Sequence, residues 1–339
     1  MSEYTPSIAR RQFLRNATCT LGAVGLASLP GAVARAEDFP SRNVKVVVPT
    51  REGGGADRNL RAFTSIWKKY LDTSFEPGFY PGAAGRVGYE VYMGKQEPDC
   101  YNLLFGNMGP EVLNWAVQAP TFDLDDYFYF ARVDTDPGCL FVSADSRFQT
   151  VEDVVAEGRK RTLNVGTSRL AHPASIGCLL LGEHTGAKFN LIPLSGGKNT
   201  VAGVVTGEMD CSVLTSGTVA AKGDALRTLL VFNDENVLGP RLSNAPTMNA
   251  HFGTDIPPLL SARAFAIHTA AAEKFPERFR ILNESIQKVF ADPDYKAAVT
   301  KAKGNWEYIN YGDAEACKKY VTETLEIGAR FKAYLTGKS

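Results

Sequence analysis

The 339-residue chain lacks an excess of either charge: 37 Lys and Arg stand against 37 Asp and Glu, and no long polybasic block appears. A nucleic-acid-binding surface needs such an excess to displace counterions, so that class is excluded. Long apolar runs are also missing. A mean hydropathy of −0.15 with 22% charged residues excludes an integral membrane protein, and 44% hydrophobic residues exclude a disordered one. Six cysteines are too dilute for a disulfide-stapled scaffold, and none shows CxxC or metal-finger spacing. The four histidines form no H-E-x-x-H pair. There is no G-x-S-x-G elbow, no Gly-Lys-Ser/Thr after a glycine loop, and no internal repeat. No catalytic set, metal site or cofactor site is therefore expected. The length exceeds what one hydrophobic core usually fills, which predicts two lobes or domains.

The first 36 residues read as an address. Ala9-Arg10-Arg11-Gln12-Phe13-Leu14-Arg15 precedes an apolar stretch from Leu21 to Leu29, which is too short to span a bilayer. Ala34-Arg35-Ala36 supplies the small residues of a cleavage site. The pattern predicts a twin-arginine signal peptide over 1–36 and export. Cys19 lacks the small-residue context of a lipid-attachment site. The mature chain would keep 33 bases, 36 acids and five cysteines (Cys100, Cys139, Cys178, Cys211, Cys317). Buried free thiols are the favoured reading of an odd set, with one long-range disulfide left open.

Val44 to Val48 is a β-branched run typical of a strand buried on both faces. It leads through Pro49-Thr50-Arg51-Glu52-Gly53-Gly54-Gly55 to Asp57, which opens a helical pattern of Leu60, Phe63, Ile66, Trp67 and Tyr70. Further strands are expected at 101–105, 138–143, 163–166, 189–194, 210–214, 228–232 and 262–268. Helices are expected at 151–161, 275–290, 293–303 and 313–334, whereas the segment 72–80 is polar and broken by Pro77. The alternation predicts an α/β protein with mostly parallel sheets, whose ligands collect at the carboxyl ends of strands.

Three loops at such ends are rich in Gly, Ser and Thr: residues 50–57, 80–88 and 166–175. Glycines before a helix let the backbone approach a ligand, and free N–H groups there favour an anion. The run Gly82-Ala83-Ala84-Gly85-Arg86-Val87-Gly88 is similar to a dinucleotide fingerprint but does not directly follow the first buried strand. Each loop also carries one arginine, Arg51, Arg86 or Arg169, a side chain suited to gripping carboxylates. Each alone reads as a solvated arginine; together they point to an anionic ligand.

An ordered series of motifs carries a resemblance over the whole mature chain. It comprises Phe39–Pro49 followed by Gly53-Gly54-Gly55-Ala56-Asp57, then Pro81-Gly82-Ala83-Ala84-Gly85, Pro98-Asp99-Cys100-Tyr101-Asn102-Leu103-Leu104, Val165-Gly166-Thr167-Ser168, Pro193-Leu194-Ser195-Gly196-Gly197 and Gly207-Glu208-Met209-Asp210. The series resembles the solute receptors of tripartite tricarboxylate transporters, the Bug family. The resemblance implies a type II periplasmic binding protein, a Venus-flytrap of two α/β lobes joined by crossover strands. Lobe 1 would take residues 37–141 and 264–339, and lobe 2 residues 142–263. The ligand, a small carboxylate, would lie between Thr50, Arg51, Gly54, Gly55, Gly82, Ala83, Ala84 and Asn107 of the first lobe and Ser168, His172 and Ser175 of the second. The implied protein is a periplasmic monomer and not an enzyme, and it serves transmembrane transporter subunits. A same-fold sensor for a signalling kinase and an exported α/β enzyme are the alternatives. The chain departs from the family in Thr50-Arg51-Glu52, in Ala84 for glycine, and in the stretch Ala171 to Ser175. Arg51 and His172 would favour a second carboxylate or a bulkier acid, with Glu52 partly offsetting Arg51.

Overall fold

The computed structural model describes residues 39–336, so the expected signal peptide at 1–36 lies outside the described residues. Among the described residues no helix is long and apolar enough to cross a membrane.

Ten strands run in chain order: β1 Val44–Val48, β2 Phe75–Phe79, β3 Asn102–Asn107, β4 Tyr127–Ser143, β5 Leu163–Thr167, β6 Phe189–Pro193, β7 Cys211–Thr215, β8 Leu226–Phe232, β9 Leu260–His268 and β10 Ile309–Gly312. In the first sheet β2, β1 and β3 are parallel, and β9, β4 and β10 follow antiparallel. In the second β6, β5 and β7 are parallel, and β4 pairs antiparallel with both β7 and β8. The parallel strands build the β-α units, and the antiparallel contribution comes from strands adjoining the crossover. β4 belongs to both sheets. Its residues Tyr127 to Pro137 pair with β9, and Gly138 to Ser143 pair with β7 and β8.

Seven helices follow these strands and the crossover: α1 Gly55–Leu71, α2 Arg86–Lys95, α3 Met108–Val117, α4 Val151–Lys160, α5 Pro173–Thr185, α6 Gly197–Val205 and α7 Ser216–Ala220. Helices Pro276–Ala291, Pro293–Lys301 and Ala314–Arg330 complete the first sheet's cover. Both sheets are packed on both faces, as the apolar run of β1 implies. Val44, Val46 and Val48 join Phe63, Trp67 and Phe265 on one face, while Val47 joins Tyr89, Leu104 and Trp115 on the other. In the second sheet Leu140 and Val142 face Val165 and Val213, and Cys139 and Phe141 face Leu214 and Val231. The five cysteines of 39–336 are free and buried. Burial pushes the thiols of Cys100 and Cys317 up to about 12, which leaves them inert as nucleophiles.

Several expectations need correction. The segment 72–80 contains the strand β2 despite Pro77, because β2 is the sheet edge, where a missing N–H leaves no ladder bond broken. Helix α1 starts at Gly55, not Asp57, with Gly54 as its N-cap; Asp57 folds back to accept from the Gly53 N–H at 2.7 Å and from Arg61 Nε at 2.6 Å. Strand β4 begins at Tyr127, eleven residues before the expected 138.

Candidate functional site

Three helices leave the carboxyl ends of the first sheet's parallel strands: α1 after β1, α2 after β2 and α3 after β3. In the second sheet α5, α6 and α7 likewise follow β5, β6 and β7. A helix N-terminus carries partial positive charge, and its first N–H groups have no partner within the helix. The two sets come together near the crossover. Helix α3 approaches α5 so closely that a Cβ on Gly109 would meet the Pro173 ring at 2.9 Å, and β4 lies as close, a Cβ on Gly138 meeting Ala174 Cα at 2.8 Å.

The 80–88 loop has an unusual backbone. Gly82 and Gly85 have φ of 135° and 106°, and Ala83 and Ala84, with φ of 42° and 57°, are also left-handed. Such a conformation costs an alanine about 1–2 kcal/mol, so the surroundings must hold it. They do so through the Ala84 carbonyl, which accepts from Asn114 Nδ2 at 3.0 Å and from Arg169 Nη1 at 2.6 Å. The second contact joins the loop after β2 to the loop after β5, and so joins the two sheets.

Beneath this loop lies Glu111, 1% exposed, in the first turn of α3. It accepts from the Asn107 N–H and from the Tyr89 hydroxyl, while its Oε1 has no partner. Burial raises its carboxyl to about 7, against the opposing pull of Arg169 and these hydrogen bonds. Gly85 has to be glycine: besides its φ, a Cβ there would lie 3.0 Å from Glu111 Cγ.

The 166–175 loop is held by hydroxyls. Thr167 Oγ1 and Ser175 Oγ lie 2.8 Å apart and donate to the Arg169 carbonyl at 3.0 and 3.3 Å. His172 is buried and caps α5, its Nδ1 accepting from the Ala174 N–H at 3.1 Å. Burial first, and the Arg169 charge second, lower it to about 3, so it is neutral at physiological pH and offers an acid no charge. The Ser168 carbonyl accepts from the Gly196 N–H at 3.1 Å, tying this loop to the start of α6.

The remaining expected residues divide clearly. Thr50 follows β1 with its Oγ1 buried and unpaired, and Asn107 caps α3 with its Oδ1 in the same state. Gly55 packs against Arg263, whose Nη2 would lie 3.2 Å from a Cβ there. Gly82 and Ala83 are exposed and Gly54 half-buried. Arg51 is exposed, and Glu52 pairs with Arg61 at 2.9 Å instead of offsetting it. Arg86 donates to the Gln118 and Ala119 carbonyls at 2.6 and 3.1 Å and lies over the Trp115 ring, capping the end of α3.

Sequence reasoning missed Glu111, Asn114 and the crossover network. In that network Arg263 of β9 pairs with Asp134 and, at 3.5 Å, with Asp136, both on β4. Asp136 also accepts from the Gly217 N–H at 2.8 Å and from Ser216, so it links the first sheet to α7. A lone acid inside the apolar stretch Met108 to Val117, and two acids at alternate positions of a strand, were the signals available. A cavity of about 140 Å³ lies beside the crossover between Leu113, Ile176, Leu259 and Ile327. Its lining is mainly apolar and contains none of the three loops' charged groups.

Residues 79–331 match the family described as tripartite tricarboxylate transporter family receptor. The chain belongs to that family. A UPF0065 protein of Cupriavidus necator, from the gbd 5' region, is 23% identical over 94% of this chain and 95% of its own length. Among solved structures, an R. palustris protein determined with adipate superposes with a TM-score of 0.74 at 19% identity, covering 88% of this chain and 98% of that one. MatC from Rhodopseudomonas palustris with bound malate gives 0.68 at 18% identity, over 88% and 100%. The architecture of this family receptor is accordingly the two-lobed α/β fold of periplasmic solute-binding proteins.

Proposed function

We propose that the chain is a periplasmic receptor that captures a small organic acid between its lobes and delivers it to membrane subunits of a tripartite tricarboxylate-type transporter. One observation carries the reading: the loops after β2 and β5, each preceding a helix N-terminus, meet at the Arg169–Ala84 hydrogen bond. An anion held there would touch both lobes and favour the closed arrangement over the open one. The adipate and malate of the two R. palustris proteins support a carboxylate of that size class here.

The proposed lobes are 37–141 with 264–339, and 142–263; the change of β4 partners between Pro137 and Gly138 supports a division close to this. On this reading Thr50, Gly54, Gly55, Gly82, Ala83, Ala84 and Asn107 face the acid from the first lobe, with Arg51 at the rim. Ser168 faces it from the second, and His172 and Ser175 shape that loop. The N-terminal pattern supports export by the twin-arginine route. The protein acts as a monomer, and no bond is made or broken.

A thermal-shift screen of mono-, di- and tricarboxylates tests this. Ligand at 100 times its dissociation constant adds about 2.7 kcal/mol to the folded state, so one class of acid should raise the melting temperature by several degrees. A transition unmoved by every acid would overturn the reading.

A further inference from the structure

Arg169 is the arginine of the three loops that reaches across to the other sheet, where it feels the pull of the buried Glu111 without forming an ion pair. It is partly buried, and among the described residues no carboxylate lies within ion-pair distance of it. Burial pulls the guanidinium below its ordinary value, with Glu111 and Tyr89 opposing that shift. A partly buried guanidinium with no carboxylate in direct contact keeps its fork open to an incoming anion. Its placement is rigid: the buried Thr167 and Ser175 hydroxyls hold its carbonyl, and its Nη1 is set on the Ala84 carbonyl across the cleft. That hydrogen bond uses one of five N–H donors in a planar fork, and a carboxylate needs two.

We propose that Arg169 is the anchor by which the second lobe takes the ligand's carboxylate while it stays on the Ala84 carbonyl, so that one guanidinium bridges the acid and both lobes. This rests on the receptor reading above and adds the residue that determines specificity for acids. A neutral ligand of the same shape would leave the spare donors of the fork without an anion.

The test is calorimetry of the strongest acid from the thermal-shift screen, and of its primary amide, against the wild type, R169Q and R169K, with melting curves of each ligand-free form. R169Q should lose at least about thirtyfold in affinity for the acid, since removing one partner of a desolvated charge pair reaches this size. R169K should lose less, because an ammonium keeps the charge without the fork. The wild type should prefer acid to amide, and R169Q should not. Ligand-free R169Q should melt within a few degrees of the wild type, because the Ala84 carbonyl keeps Asn114 and only one hydrogen bond is lost. R169Q or R169K binding the acid at wild-type affinity would overturn the anchor while leaving the receptor reading intact, as would a lowered melting temperature with selectivity unchanged. Wild-type protein that binds no acid would overturn both.

Discussion

The loops 80–88 and 166–175 look alike in the sequence and behave differently in the fold. Both follow a strand, precede a helix and carry an arginine. In the first loop Arg86 is spent on two carbonyls at the end of α3 and on the Trp115 ring. In the second Arg169 crosses to the opposite sheet with its backbone fixed, in no ion pair but under the pull of the buried Glu111. The first loop places an acid, Glu111, beneath its backbone; the second places a neutral base, His172, at its helix cap. An arginine therefore points to a ligand when the fold holds it across the two sheets with donors to spare, and not when its fork is closed on carbonyls at a helix end.

The strongest way to break this comparison is by pH. His172 titrates near 3 in the folded chain against its ordinary 6.5, so the unfolded chain binds the extra proton. Stability from this group is present above 6.5 and is lost as pH falls towards 3, by about 4 kcal/mol at pH 3. His172→Asn, which keeps a capping side chain, should flatten that loss in denaturant titrations. Glu111 works in the opposite direction. Its folded value of about 7 lies above its ordinary 4.5, so its contribution is full below 4.5 and is lost as pH rises through 7, by about 3 kcal/mol at pH 8. Glu111→Gln should remove this alkaline decline; an identical pH profile in the variant would mean that Glu111 is solvated. Next in size, Gly85→Ala should destabilise by about 2 kcal/mol, through its left-handed backbone and the Glu111 contact, and weaken acid binding as the loop shifts. Ser175→Ala should cost about 1 kcal/mol and lower acid affinity severalfold by loosening Arg169. Smallest, Arg86→Ala should lower stability by about 1 kcal/mol or less and leave affinity unchanged; a large affinity loss there would erase the difference between the loops.

The regular parts of the fold were legible. The valine run of β1, the strand from Gly138 and the capped helix α4 follow from local pattern, and Thr150 and Asp153 form the capping box that closes the first turn of α4. Strand β2 was hidden because an edge position excuses Pro77, and edge or centre is a property of the sheet rather than of five residues. The first half of β4 was hidden because Arg132, Asp134 and Asp136 make it read as a polar loop, whereas Asp134 and Asp136 are paired within the crossover. At the site, glycine and hydroxyl composition located the loops. It did not reveal that Ser175 reaches Arg169, that His172 is a neutral cap, or that Arg86 and Arg169 have separate fates. Those distinctions depend on what lies opposite each side chain, and residues 85 positions apart set them.

The most direct measurement is a crystal structure of the protein with the strongest acid from the screen. The account predicts the carboxylate between the two lobes, bonded by the Arg169 guanidinium with the Ala84 contact retained, and bordered by the loops at 50–57 and 80–88. Acid lodged in the apolar cavity beside Leu259, or bound between the lobes without touching Arg169, would contradict it.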